Sequence, residues 1–174
     1  MQFRRSDYDV TNTVQVSSVA SVRKAVEELF QQTWPAANSE RLTTAFADFE
    51  RLFCGQFPGY LGCDTVYHDM QHSLDDTLAM ARLLAGYERT HAPEQRLGAD
   101  RALLGIIVGL FHDSGYIRQS DDTQHHNGAE FTRTHVMRGA NFLSRYLPVI
   151  GLANWVPVAT QVIHFTGYEV PVPL

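Results

Sequence analysis

The stretch that most constrains the fold is the apolar run from Leu103 to Phe111. Because the run has no polar side on either a helical or an extended backbone, it must be buried all round. A short apolar run of this kind is compatible with a buried strand or a buried helix. We favour a central helix over residues 99–112, because Arg101 and Ala102 extend the run upstream and the neighbouring segments have helical periodicity.

Other stretches with apolar residues at helical spacing surround this run, separated by prolines, glycines and polar loops. The sequence shows no internal repeat, no heptads and no alternation of strands with helices. It therefore predicts an all-α fold, a compact bundle of about six helices. Gly105 and Gly109, four apart on the central helix, would allow close contact with a neighbour. The other five helices are predicted over residues 17–34, 38–54, 68–87, 129–146 and 152–164.

The domain organisation predicted from the 174 residues is simple. Residues 1–16 are polar with few apolar anchors, and we expect a mobile N-terminal arm. Residues 17–174 form one helical domain. The chain begins without the apolar segment of a secretory signal, and no apolar run reaches the length of about 18 residues that spans a bilayer. We therefore expect a cytoplasmic protein with no membrane partner, and reduced thiols at Cys54 and Cys63, for which a shared zinc site is the alternative.

The charge pattern narrows the choice of partners. The formal net charge is −5, and Lys24 is the only lysine beside thirteen scattered arginines. Sequence-independent binding of a nucleic-acid polymer requires a basic stripe, which is missing, so we expect no such partner. An anionic small molecule stays compatible with the sequence, because a bound metal ion supplies positive charge locally.

The central run ends in an adjacent imidazole and carboxylate, His112 and Asp113. Both side chains are metal ligands, and an adjacent pair can hold one ion or bridge two. The alternative is a helix that ends in polar residues because it has reached solvent. All eight histidines lie downstream of residue 67 and the first third of the chain has none. This distribution favours one site built from several helices.

The third predicted helix adds further candidate ligands. His68 and His72 are four apart and would share one helix face. Asp76 extends that face by another turn, and Asp75 lies beside it. Either carboxylate could hold His72 through a hydrogen bond to its other ring nitrogen, or could simply be surface charge.

Taken together, these residues carry a resemblance to a known superfamily. The order of His72, then His112-Asp113, then further histidines resembles the HD-domain superfamily of metal-dependent phosphohydrolases. The Tyr-His-x-x-x-His form of residues 67–72 is similar to its cyclic-nucleotide phosphodiesterase branch. Residues 135–140 resemble the His-x-x-x-Gly-Ala element of many HD proteins, and His164 resembles the next histidine. The similarity covers roughly residues 60–165 and implies a helical bundle around a mono- or dinuclear metal site.

The resemblance also implies roles for individual residues. His72, His112 and Asp113 would bind a first ion, and His135 and His164 would bind a second, to which Asp113 could also bridge. His68 would act as the general acid that protonates the leaving alcohol. A metal-activated water would attack phosphorus. The implied cofactor is one or two divalent ions, with Mn, Fe, Ni or Zn favoured over Mg because imidazole ligands dominate.

Three further residues are candidates for binding a small phosphorylated substrate. Arg118 lies in the loop after the metal pair, and Arg138 lies on the fifth helix; each could meet a phosphate. His126 lies in a polar loop that could contact substrate. The alternatives are ordinary surface arginines and a solvated loop.

One departure from the HD pattern limits these expectations. HD proteins close the first site with another Asp after the last histidine, whereas this chain has no Asp after Asp122. Either the chain stops short of the last helices of a longer domain, or Glu169 or an outside group substitutes, or the site is damaged. A truncated bundle would expose apolar surface and recruit a partner, which makes a homodimer one expectation.

The function predicted from the sequence is metal-dependent hydrolysis of a phosphoester of a nucleotide or related small molecule. Two alternatives stay open. One is a non-catalytic sensor that binds a ligand in a degenerate HD site. The other is a di-iron oxygenase that uses the same fold and ligands.

Overall fold

The computed structural model describes residues 6–167, which form six α-helices and no β-strand. The predicted all-α bundle of about six helices is thereby confirmed. In chain order the helices are α1 (Val19–Thr33), α2 (Glu40–Phe53), α3 (Met70–Thr90), α4 (Gly98–Phe111), α5 (His135–Val149) and α6 (Val156–Val162).

The centre of the bundle is α4, which contacts α2, α3, α5 and α6. Every residue of its apolar run is buried except Gly105, which is half-buried. The prediction of a central helix is therefore confirmed. Phe111 at its end packs edge-on against Phe49 of α2 and lies 4.8 Å from the ring of Tyr146 on α5. The burial of these rings holds the C-terminal end of α4 at a defined place in the core.

The contact between α3 and α4 is close because two glycines of α4 face α3. A Cβ atom at Gly105 would lie 3.0 Å from Cδ1 of Leu84, and one at Gly109 would lie 3.6 Å from Cβ of Met80. The close helix contact predicted from these glycines is confirmed. It brings the N-terminal part of α3 beside the C-terminal end of α4.

The start of α3 differs from its prediction. Asp69 is the N-cap in an extended conformation, and its carboxylate accepts a hydrogen bond from the backbone amide of His72 at 2.9 Å. The cap satisfies an amide that has no partner within the helix, so the helix begins at Met70. His68 therefore precedes the helix, and the expectation that it shares a helix face with His72 is wrong.

The fifth helix also starts later than predicted, at His135 rather than near residue 129. Asn127 and Glu130 form a capping box, which begins a separate 3-10 turn over Gly128–Phe131. The chain then turns again before α5. The sixth predicted helix is likewise divided, because α6 is flanked by 3-10 turns at Ala153–Trp155 and Ile163–Thr166.

The described part of the N-terminal arm lies against the bundle. Asp9 pairs with Arg82 of α3 at 2.8 Å, and Val16 is buried in the core. Residues 1–5 lie outside the described residues, and the mobility of the arm stays a prediction. Within residues 6–167, no helix is long and apolar enough to cross a membrane.

Candidate metal centre

The candidate site lies where α3 begins and α4 ends. The N-cap of α3 places His72 in the first turn, and Asp76 follows one turn later. His68 is held just ahead of the cap by its backbone carbonyl, which accepts a hydrogen bond from the Thr65 hydroxyl at 2.6 Å. The two segments bring five side chains together, namely those of His68, His72, Asp76, His112 and Asp113.

The orientation of His112 is determined by the backbone of its own helix. Its Nδ1 lies 2.8 Å from the carbonyl oxygen of Gly109. A carbonyl can only accept, so Nδ1 carries the proton and Nε2 keeps its lone pair for a ligand. This is the arrangement that metal-binding histidines commonly have, with the second ring nitrogen donating to a carbonyl.

A single carboxylate oxygen is at the centre of the cluster. Oδ2 of Asp113 lies 2.8 Å from Nδ1 of His68, 3.2 Å from Nε2 of His112 and 3.3 Å from Nε2 of His72. Asp113 is only 2% exposed. A carboxylate this deeply buried requires compensating charge or hydrogen bonds, and here the three imidazoles supply them.

A second carboxylate approaches the same two imidazoles. Oδ2 of Asp76 lies 3.4 Å from Nε2 of His72 and 3.6 Å from Nε2 of His112. Two ligands bound to one ion with bonds of about 2.0–2.2 Å stand roughly 3.0–3.6 Å apart. These N···O separations fall in this range, and two overlapping groups could each hold an ion: His72 with Asp76 and His112, and His68 with His72 and Asp113.

The pKa values of the cluster follow from burial and from the neighbouring charges. Burial lowers the pKa of His72 below its ordinary value and outweighs the attraction of Asp76 and Asp113. Burial also acts to lower the pKa of His112, but the hydrogen bond and the charge of Asp113 outweigh it, so the pKa of that imidazole is raised. Burial would raise the pKa of Asp113, yet the same partners lower it to about 2. Asp113 is thus an anion at neutral pH, the form that binds a metal.

Aromatic rings line one side of the cluster. The ring of Tyr116 stacks on His68 at 4.3 Å and on His135 at 4.4 Å, with interplanar angles of 16° and 18°. Tyr67 lies 5.1 Å from both His68 and His72 and is exposed. The stacking fixes the plane of the His68 ring beside the cluster.

Comparisons of this chain with protein-family models, with curated proteins and with solved structures found no match.

The histidines predicted to bind a second ion lie apart from this cluster. His135 is half-buried at the start of α5, and its Nδ1 donates to the carbonyl of Thr132 at 2.7 Å. Its ring centroid is 6.2 Å from that of His68. His164 is exposed in the turn after α6. Among residues 6–167, the groups that could hold an ion include neither, and their roles as ligands stay predictions.

Two of the three predicted substrate contacts have side chains with partners within the protein. Arg118 forms an ion pair with Asp64 at 3.1 Å, and Arg138 donates to the carbonyls of Gly115 and Ile117 at 2.7 and 2.9 Å. His126 is exposed in its loop. These contacts give both arginines a structural task, and their contact with a substrate stays a prediction.

The sequence predicts Asp76 only as a hydrogen-bond partner of His72 or as surface charge. Its spacing from His72 correctly predicts the face of α3 on which it lies. The structure shows its oxygen next to two imidazoles, in a position to be a ligand. The pattern His-x-x-x-Asp on one helix was the available signal. Glu169, the substitute ligand considered above, lies outside the described residues.

Proposed function

We propose that His72, Asp76, His112 and Asp113 bind a divalent transition-metal ion and that the loaded protein hydrolyses a phosphoester. The observation that carries this proposal is the convergence of two imidazole nitrogens and two carboxylate oxygens, with N···O separations of 3.2–3.6 Å. Their chemistry fits Mn, Fe, Ni or Zn better than Mg, because half of the ligands are imidazoles.

The resemblance to HD-domain phosphohydrolases supports the same conclusion. The order of His72 and then His112-Asp113 is the order of ligands in that superfamily, and a helical bundle is its fold. What this chain lacks after His164 is the closing Asp. Asp76 offers a carboxylate from α3 in its place, so the proposed centre does not depend on residues outside the described part of the chain.

Catalysis would use the charge of the ion and an activated water. A divalent ion, when bound, neutralises phosphate charge and lowers the pKa of water. His68 then has the role of general acid. Its Nδ1 lies 2.8 Å from the Asp113 carboxylate and donates to it, which leaves Nε2 to face the leaving oxygen. The side chain of His68 is 34% exposed, so a substrate can reach it.

The substrate class follows from this chemistry rather than from a pocket. A metal next to a histidine that acts as general acid suits an ester whose leaving group is an alkoxide, because that oxygen must be protonated as the bond to phosphorus breaks. We therefore propose a phosphodiester or phosphomonoester of a nucleotide or a related small molecule.

The test combines metal analysis with turnover. The purified chain is stripped with a chelator, loaded separately with Mn²⁺, Fe²⁺, Ni²⁺ or Zn²⁺, and its metal content is measured by mass spectrometry. Hydrolysis of bis(para-nitrophenyl) phosphate and of para-nitrophenyl phosphate is then followed. The variant His112→Ala should lose both metal and activity. The control His91→Ala should keep both, because His91 stacks on Tyr87 at the opposite end of α3.

Three outcomes separate this proposal from its alternatives. A metal-loaded chain that cleaves neither ester, with no change on His112→Ala, would contradict a hydrolase. Nucleotide binding without turnover in a chain that holds no metal would favour the ligand sensor. Bound iron that changes oxidation state and consumes oxygen would favour the oxygenase.

A further inference from the structure

A second group of residues that could bind a ligand lies behind the metal pair, on the face of α5 that packs against the loops at residues 57–60 and 114–121. A cavity of about 360 Å³ opens there, and its polar lining includes Ser114, Arg138 and Arg145. A second cavity of about 690 Å³ adjoins it, and its lining includes the aromatic rings of Phe57, Tyr60, Phe142 and Tyr146. The two cavities are adjacent because four residues line both, namely Tyr60, Gln119, Phe142 and Arg145, and together we call them the groove.

The polar half of the groove has two guanidinium groups without acidic partners. Within residues 6–167, neither Arg138 nor Arg145 forms an ion pair. Each guanidinium is held by uncharged groups. Arg138 donates to two backbone carbonyls and lies 3.6 Å over the ring of Phe131, and Arg145 donates to the carbonyl of Asn141 and the hydroxyl of Tyr60 at 3.2 and 3.3 Å. A guanidinium has five N–H donors, and these bonds use only part of them.

A buried hydroxyl points to the same conclusion. Ser114 lines the polar half of the groove, is 2% exposed, and its Oγ has no hydrogen-bond partner among the described residues. A buried hydroxyl without a partner costs free energy, which a ligand oxygen in the groove would recover. Arg138 is half-buried, and burial lowers the pKa of its guanidinium.

The other half of the groove is lined by aromatic rings. Phe57, Phe142 and Tyr146 line it, with centroid distances of 6.0–6.5 Å from Phe57 to the other two rings. Asp121 lies at its edge and is exposed. A planar ring would be covered by these side chains, and an amino group on it could reach the carboxylate.

We infer that the groove binds a small aromatic phosphate of the nucleoside monophosphate class. The phosphate lies between Arg138, Arg145 and Ser114, and the base lies among Phe57, Phe142 and Tyr146. The groove is separate from the proposed metal centre, since none of the five side chains of the His/Asp cluster lines it. The inference does not depend on hydrolysis, although Ser114 directly follows the proposed ligand Asp113.

The test measures binding of adenosine monophosphate to the metal-free full chain by calorimetry, with adenosine and inorganic phosphate as separate probes. Removing the metal prevents phosphate from binding at the cluster. We expect the nucleotide to bind more tightly than either fragment. The variant Arg145→Gln should weaken nucleotide binding about ten- to hundredfold, as expected for loss of a charge-assisted hydrogen bond. Adenosine, which has no phosphate, should be affected much less.

Two controls make the result decisive. Arg133→Gln changes an exposed arginine that lines neither cavity and should leave the affinity unchanged. Arg96→Gln, which changes another exposed arginine that lines neither cavity, should also leave it unchanged. Absence of nucleotide binding to the unmodified chain would overturn the inference. So would equal binding by the unmodified chain and by both Arg145→Gln and Arg138→Gln, provided that thermal unfolding shows each variant to be folded.

Discussion

Oδ2 of Asp76 on α3 lies 3.6 Å from Nε2 of His112 at the end of α4. These residues are far apart in sequence, and they meet where α3 and α4 pack together, with Gly105 and Gly109 of α4 facing α3. Asp76 gives the cluster a second carboxylate, which comes from α3. The contribution of Asp76 to metal binding is therefore the first prediction.

Replacing Asp76 by Asn should weaken metal binding by about tenfold to hundredfold or more, since even the loss of a residue that only orients a ligand has effects of that size. The amide keeps the size of the side chain but removes its negative charge. Metal affinity is measured by competition with a fluorescent chelator. Asp100→Asn, which changes an exposed carboxylate at the start of α4, serves as the control and should have no effect. Equal affinities in the two variants would show that Asp76 is not a ligand.

The proposed role of His68 predicts a dependence on the leaving group. His68→Gln should keep its metal but lose about 10²–10⁴ in kcat on an alkyl phosphodiester, because no group protonates the leaving alkoxide. The loss should be far smaller on bis(para-nitrophenyl) phosphate, whose leaving group needs no proton. Steady-state kinetics on both esters, with metal content as the control, checks this. An equal loss on both would instead indicate that His68 positions the metal or the substrate.

The His112–Asp113 pair predicts a pH window for the stability of the metal-free protein. The pKa of Asp113 is lowered to about 2, so its contribution is lost as pH falls from about 4 through that value. The pKa of His112 is raised, so its contribution is lost as pH rises past 6.5 and through the folded pKa. Stability from this pair is therefore greatest between about pH 4 and pH 6.5. Denaturant unfolding across this range tests it.

Above about pH 6.5, where the stability of the metal-free protein falls, the affinity for metal should rise. The ion requires His112 without its Nε2 proton, so affinity should increase as pH rises through the raised pKa of that imidazole.

The double variant His112→Gln, Asp113→Asn should remove the stability window associated with the pair. If the same pH dependence of stability persists in the double variant, other groups must cause it.

Gly115 is expected to tolerate no side chain. A Cβ atom there would overlap the carbonyl oxygen of His135 and lie 2.8 Å from the amide nitrogen of Gly139. Because both are backbone atoms, the turn or α5 would have to move, and Gly115→Ala should destabilise the fold by about 3 kcal/mol or more.

Gly86 provides the matched comparison. It lies within α3, and a Cβ atom there would meet nothing within 4 Å. Gly86→Ala should therefore stabilise the protein by about 0.5–1 kcal/mol through higher helix propensity. Urea unfolding of both variants gives the two values. A small effect at Gly115 would mean that the turn and α5 can separate without cost.

Much of the bundle could be predicted from the sequence because helical periodicity and chain breakers act locally. The central position of α4 followed from its apolar run, and the close approach to α3 followed from Gly105 and Gly109. The starts of α3 and α5 were harder, since Asp69 and the Asn127–Glu130 pair act through hydrogen bonds that shift a boundary by a few residues.

The site could be predicted only in part. The convergence of His72 with His112 and Asp113 followed from residue types and their order. The role of Asp76 did not, because a carboxylate on a helix surface has the same local pattern whether it faces solvent or an imidazole on another helix. The packing angle between α3 and α4 decides whether Asp76 faces solvent or an imidazole. That angle is determined by contacts spread along both helices.

All five side chains of the His/Asp cluster come from two short stretches, 68–76 and 112–113, at the start of α3 and the end of α4. The candidate metal ligands are thus supplied by one helical hairpin rather than by the bundle as a whole. The other helices serve to hold that hairpin and cover it. A designed scaffold with the same interhelical distance, glycines included, would be a suitable host for this centre, and the remaining surface of this chain is free to diverge without disturbing it.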